Sequence, residues 1–158
     1  MDDAAALSAK LKNDAVRLES HLAALGEDKW SAQVYSDGAS WTVRDVVAHL
    51  VSAERAFLAL FHDIQRGGEG VSEGFVIDEF NAREHAKNER IGWDELLALF
   101  RRTRARMIAL VESLSMEDLE KRGRHPYLGV TSLREMVKMI YIHSQTHLRD
   151  VRRTIDLA

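Results

Sequence analysis

The chain has 158 residues, 46% hydrophobic and 30% charged, with one proline, no cysteine and a formal net charge of −3. This composition suits one globular, largely helical domain over residues 1–158, and the missing cysteines exclude disulfides, thiolate metal ligands and a cysteine nucleophile, so any thiol must come from outside. The acidic balance argues against a nucleic-acid partner, no apolar run approaches the ~18 residues needed to cross a bilayer, and the start "MDDAAALSAKLKND" lacks a secretion-signal layout, so the expected location is the cytoplasm.

A first helix is expected from about Ala4 to Leu25 on near-periodic Leu7, Leu11, Leu18, Leu22 and Leu25, with Gly26 ending it. The stretch "EDKWSAQVYSDGAS" is turn-rich. A second long helix opens with "WTVRDVV": Thr42 is its N-cap, Asp45 completes a capping box, and Trp41 and Val46 form a hydrophobic staple. It runs to about Arg66, where "GGEG" stops it. "IDEFNAREHAKNER" reads as a short helix interrupted near Gly92, and "WDELLALFRRTRARMIALVESL" as a third long one. Arg101, Arg102, Arg104 and Arg106 read as a solvated face of that helix. "SMED" caps one further turn, and "GRHPYLG" is expected to be a loop. The last helix starts at a second capping box, Ser132 with Glu135, and continues to about Asp156. Four long amphipathic helices and no comparable strand signal predict an all-α four-helix bundle, with connections long enough for at least one crossover.

On the last helix the apolar stripe runs Leu133, Met136, Ile140, His143, His147, Val151, Ile155. Imidazoles at i and i+4 project from one face about a turn apart and can reach one metal ion. About 0.3 such pairs are expected by chance among the seven histidines, so the spacing alone is weak; the placement inside a buried stripe is what calls for a partner. On the second long helix His49 lies beside the Val43, Val47, Leu50 and Phe61 stripe and is the candidate third ligand. His21, His62 and His85 read as ordinary surface or half-buried residues; His125, in "HPYLG", could overhang a pocket at the start of the last helix.

"WTVRDVVAHLVSAE" together with "IHSQTHLRDVRR", the spacer "DEFNAR" and the loop "HPYLG" resembles the DinB-like superfamily of small helical proteins. The resemblance covers nearly the whole chain. It implies a four-helix bundle with crossover connections, a homodimer, and a divalent metal held by three side chains, here His49, His143 and His147. Its implied activities are mycothiol- or bacillithiol-dependent transfer and isomerisation, and metal-dependent hydrolysis.

Three neutral imidazoles leave a coordination position open, for water or for a low-molecular-weight thiol. The donor set favours zinc or nickel and admits iron or manganese. Asp45 has the better direction to orient His49, with Glu54 badly placed for it; Tyr35 and Asn81 lie in segments that could cover the bundle mouth; Trp30, Trp41 and Trp93 are expected to pack at bundle ends; and Arg149, Arg152 and Arg153 read as a solvated helix end. The expected function is a metal-dependent thiol S-transferase or hydrolase acting on a small molecule, with no general acid or base identifiable. The alternative is a stress-associated bundle that binds metal or a small ligand without turnover.

Overall fold

The computed structural model describes residues 2–157. Four long helices dominate: α1 (Ala4–Ala23), α3 (Val43–Gln65), α5 (Trp93–Ser113) and α7 (Leu133–Leu157); three shorter ones are α2 (Glu27–Trp30), α4 (Ile77–Asn88) and α6 (Met116–Glu120). The Thr42–Asp45 capping box that starts α3 is complete, and so is that of Ser115 and Asp118 before α6. At the start of α7 only half the expected box forms. Ser132 accepts the Glu135 N–H at 3.3 Å, but the Glu135 carboxylate pairs with Lys138 instead. Helix α1 stops at Ala23, short of Leu25, and Gly26 serves as the N-cap of α2.

Helix α1 packs against α5 and α7, and α3 packs against the same two. The pairs α1/α3 and α5/α7 therefore stand on the diagonals of a four-helix bundle. Chain segments 24–42 and 114–132 both cross a diagonal, and each contains a strand pair where the sequence predicts turn or loop. The first carries an antiparallel pair, β1 (Gln33–Tyr35) with β2 (Trp41–Thr42). The second carries a regular hairpin, β3 (Arg122–His125) with β4 (Gly129–Ser132), so "GRHPYLG" is largely a tight strand pair. Strands of two to four residues are too short to display the period-two alternation that reveals a strand in sequence.

Segment 66–71 runs alongside β3. The Val71 N–H donates to Arg124 O at 2.9 Å, and the Arg124 N–H to Glu69 O at 2.8 Å. Gly70 permits this approach: its φ is +87°, and a Cβ there would lie 2.4 Å from the Arg124 carbonyl oxygen.

The apolar interior falls into two clusters. One is built on Leu7, Leu11, Phe61, Met107, Leu133 and Ile140, the other on Leu18, Val47, Phe100, Leu148 and Val151. Between them lies a charged layer. Arg104, only 1% exposed, donates to both carboxylate oxygens of Glu54 on α3, to Asp14 Oδ2 (2.8 Å) and Leu11 O (3.2 Å) on α1, and to Ser144 Oγ (3.0 Å) on α7. This corrects the reading of residues 101–106 as a wholly solvated face: Arg101, Arg102 and Arg106 are exposed, but Arg104 ties all four long helices together.

Removing the cation would strand two buried carboxylates. Arg104→Met should therefore lower the unfolding free energy at neutral pH by about 3–5 kcal/mol, measured by urea denaturation. Replacing Asp14, Glu54 and Arg104 together by apolar residues of similar volume should recover most of that loss.

Candidate metal centre

Inward-facing positions on α3 and α7 bring the three expected histidines together. His49 Nε2 lies 3.1 Å from His143 Nε2, which lies 3.0 Å from His147 Nε2. The three rings are edge-on to one another, with centroids 4.6–5.0 Å apart. Their donor atoms all fall within 4.8 Å of each other, a spacing that could hold one metal ion. Metal–imidazole bonds of about 2.0–2.1 Å put neighbouring nitrogens roughly 2.8–3.4 Å apart for angles between right and tetrahedral, so the donor set fits a divalent cation.

Burial holds all three imidazoles neutral. His49 is pushed down to about 2 by burial and by the neighbouring His143 and His147; His143 is pushed down to about 3 by burial, reinforced by His147. His147 is lowered too, chiefly by burial, with Asp150 opposing.

The group that contacts a ring of the cluster from behind is Tyr35, carried on β1. Its hydroxyl is 2.8 Å from His147 Nδ1 and donates to Asp150 Oδ2 at 2.7 Å. Burial, then the bond to Asp150, raises the phenol's pKa, so it keeps its proton. Tyr35 was expected only as a residue near the bundle mouth, and Asp150 was not singled out at all. Asp150 lies three residues after His147 on a helix, a spacing that places it beside the histidine and was available as a signal.

Asp45, expected to orient His49, does not reach it. Its carboxylate closes the α3 capping box and lies 3.4 Å from Arg44, because a side chain committed to its own helix start points away from the next turn. Glu54 is spent on Arg104. Trp41 does not simply close a bundle end: its ring lies 4.6 Å from that of His49, whereas Trp30 and Trp93 stack on each other at 4.9 Å as end packing. His62 is exposed, His21 and His85 are half-buried, and none of them joins the cluster.

Next to the cluster opens a cavity of about 450 Å³ whose wall includes His49, His143, Phe57, Phe80, Asn81 and His125. His125 is 2% exposed and stacks on Phe57 with centroids 5.0 Å apart. Asn81, expected near the bundle mouth, lines this cavity.

Among solved structures, the mycothiol-dependent maleylpyruvate isomerase superposes with a TM-score of 0.78 at 16% identity; the match covers 96% of this chain and 63% of the isomerase, so this chain spans less than two thirds of its length. YfiT from Bacillus subtilis, described as a probable metal-dependent hydrolase with an unusual four-helix bundle topology, gives 0.79 at 18% identity, covering 96% of this chain and 85% of YfiT. The colibactin self-resistance protein ClbS, solved with double-stranded DNA, gives 0.77 at 14%, covering 98% of this chain and 96% of ClbS. At these identities the likeness shows a shared fold. No curated protein matches the sequence. The sequence profile of the DinB superfamily, however, matches residues 10–151, from the first long helix into the last, and the chain belongs to that superfamily.

Proposed function

We propose that the protein is a metal-dependent enzyme acting on a small molecule, with His49, His143 and His147 holding a divalent cation. The observation that carries this reading is the convergence of three neutral imidazole nitrogens beside a cavity large enough for a substrate, two of whose wall residues are His49 and His143. The reactions named for two structural neighbours, mycothiol-dependent isomerisation and metal-dependent hydrolysis, support the same class. Zinc or nickel suits the donors best, with iron or manganese next. Such a cation supplies a lowered pKa to a coordinated water or external thiol, giving a nucleophile at neutral pH. The homodimer rests on the family pattern alone.

The chain's own residues prepare the site for this. The single Tyr35 hydroxyl proton is committed to the Asp150 carboxylate, which only accepts. The 2.8 Å contact with His147 must then be an Nδ1–H donating to the phenol oxygen. That bond fixes the tautomer and leaves the His147 Nε2 lone pair facing its partners. Trp41 covers His49 on another side and restricts water there. No Asp, Glu, Lys or Arg lines the cavity among the described residues, and its polar lining side chains are His49, His143, His125, Asn81, Tyr127 and Thr146.

A DNA-binding role like that of the ClbS complex is less well supported. The arginine-rich stretch of α5 offers no continuous phosphate-binding strip, since Arg104 is buried and Arg101 is paired with Glu19 at 3.0 Å.

Three outcomes are expected. His147→Ala should lose stoichiometric metal, read by elemental analysis of the purified protein; full occupancy in the variant would sink the assignment. Metal-loaded protein should turn over in a panel of esters and amides, or of electrophiles supplied with low-molecular-weight thiols, whereas binding without turnover would favour a non-catalytic bundle. Tyr35→Phe keeps the packing but removes the acceptor for Nδ1–H, and should weaken metal affinity by roughly 10–100-fold in a competition titration with a chelator.

Acid should destabilise the metal-free protein. The unfolded chain binds protons at these histidines below about pH 6.5, while the folded one does not until far lower pH. Stability is therefore fully present above that value and falls as pH drops, by up to about 1.4 kcal/mol per pH unit for each such group. Thermal melts between pH 7.5 and 4.5 check this, and a flat profile would contradict it.

A further inference from the structure

His125 does no work in the metal reading, yet it is held in an unusual way. The β3–β4 turn aims two backbone donors at one ring nitrogen: the Tyr127 and Leu128 N–H groups both donate to His125 Nδ1 at 3.1 Å. A nitrogen that accepts two hydrogen bonds carries no proton, so in the neutral ring the hydrogen sits on Nε2. Burial lowers the pKa of this imidazole to about 4, so the ring is neutral under physiological conditions. Its Nε2–H is buried and meets no acceptor among the described residues. A buried donor left unpaired is costly, and His125 belongs to the wall of the cavity, so a small side-chain adjustment can open its Nε2–H to a partner bound there.

The rest of that wall constrains the partner. Phe57, Leu60, Phe75, Ile77, Phe80 and Met139 make it largely apolar, and no cationic side chain lines it among the described residues to neutralise a carboxylate or phosphate. In the metal-free protein a buried anion here would lack a counter-charge and is strongly disfavoured, whereas a neutral acceptor needs only one donor.

We propose that this cavity binds an uncharged, largely apolar small molecule bearing a carbonyl-type acceptor, with the His125 Nε2–H as the donor that receives it. This rests on the proposed function only in taking the cavity as the place of the substrate; the binding itself requires no turnover. Ketones and esters fall in the class, and dicarboxylates do not.

Butyrophenone, the carbonyl-free butylbenzene and the anionic 4-phenylbutyrate provide matched probes for calorimetric or NMR titration of the full chain stripped of metal with a chelator. Butyrophenone should bind most tightly and phenylbutyrate least. His125→Asn offers a side-chain oxygen to the same two turn N–H groups but lacks the deeper donor; it should weaken butyrophenone about tenfold and leave butylbenzene within twofold. The ¹⁵N shifts of the His125 ring should report a protonated Nε2. The proposal is overturned if phenylbutyrate binds best, if no probe binds, if both neutral probes weaken equally in the variant, or if Nδ1 carries the proton. Repeating the titration in His147→Ala separates the two readings: ketone binding that survives metal loss supports the cavity assignment independently, and ketone binding without any turnover by loaded protein counts against the enzyme alone.

Discussion

The Arg104 guanidinium sets the geometry on which the rest of the molecule depends. An apolar bundle has little to fix the axial position of one helix against another, because hydrophobic burial is non-directional. A planar cation with five donors in a rigid fork is directional, and here it engages groups on α1, α3 and α7 at once. Glu54 follows His49 by five positions on α3, and Ser144 immediately follows His143 on α7. Locking those two partners to one guanidinium fixes the register of α3 against α7 within about a turn of the histidines. A slip of one helical turn, about 5.4 Å, would separate nitrogens now 3.1 Å apart.

The histidine cluster is the opposite kind of feature. Nitrogens 3.0 and 3.1 Å from a shared neighbour cannot both make good hydrogen bonds to it, since the His143 Nε2 offers either one proton or one lone pair. The cluster is thus under-satisfied by the protein itself, and the charged layer, the Tyr35–Asp150 pair and the surrounding core maintain it. Fully satisfied polar layers specify structure, while under-satisfied ones await something from outside the chain. Arg104 and the histidines, a few ångströms of helix apart, divide those two tasks between them.

The sequence made the four long helices legible because their apolar stripes persist over several turns, and it made the histidine positions legible because His143 and His147 interrupt such a stripe. The same logic would have found the charged layer. Arg104 stands between Phe100 and Met107 on the apolar face of α5, Asp14 between Leu11 and Leu18 on α1, and Glu54 between Leu50 and Phe61 on α3, with signs that match. Four arginines within residues 101–106 read as a charge run, and only the helical spacing from Phe100 and Met107 sets Arg104 apart from the other three. Tyr35 and His125 were less accessible. Their roles depend on where two short strand pairs fold back, and nothing local in the sequence encodes which helix a crossover will meet.

Those crossovers explain where the polar accessories come from. When consecutive helices stand on a diagonal, the connection must travel over the end of the bundle, past its interior. The first brings Tyr35 to His147, and the second suspends His125 above Phe57 and the cavity. Helices supply the converging nitrogens, whose mutual placement tolerates little change, and the connections supply the groups that orient a ligand ring and line the space beside it. Since the strand pairs are held mainly by their own backbone bonds and by the close approach at Gly70, their side chains can vary without disturbing the register set by Arg104. The cavity wall draws on α3, α4 and α7 as well as on the β3–β4 turn, so the helices that bring the imidazoles together also shape most of the space beside them, and the crossover adds the His125 ring at its edge.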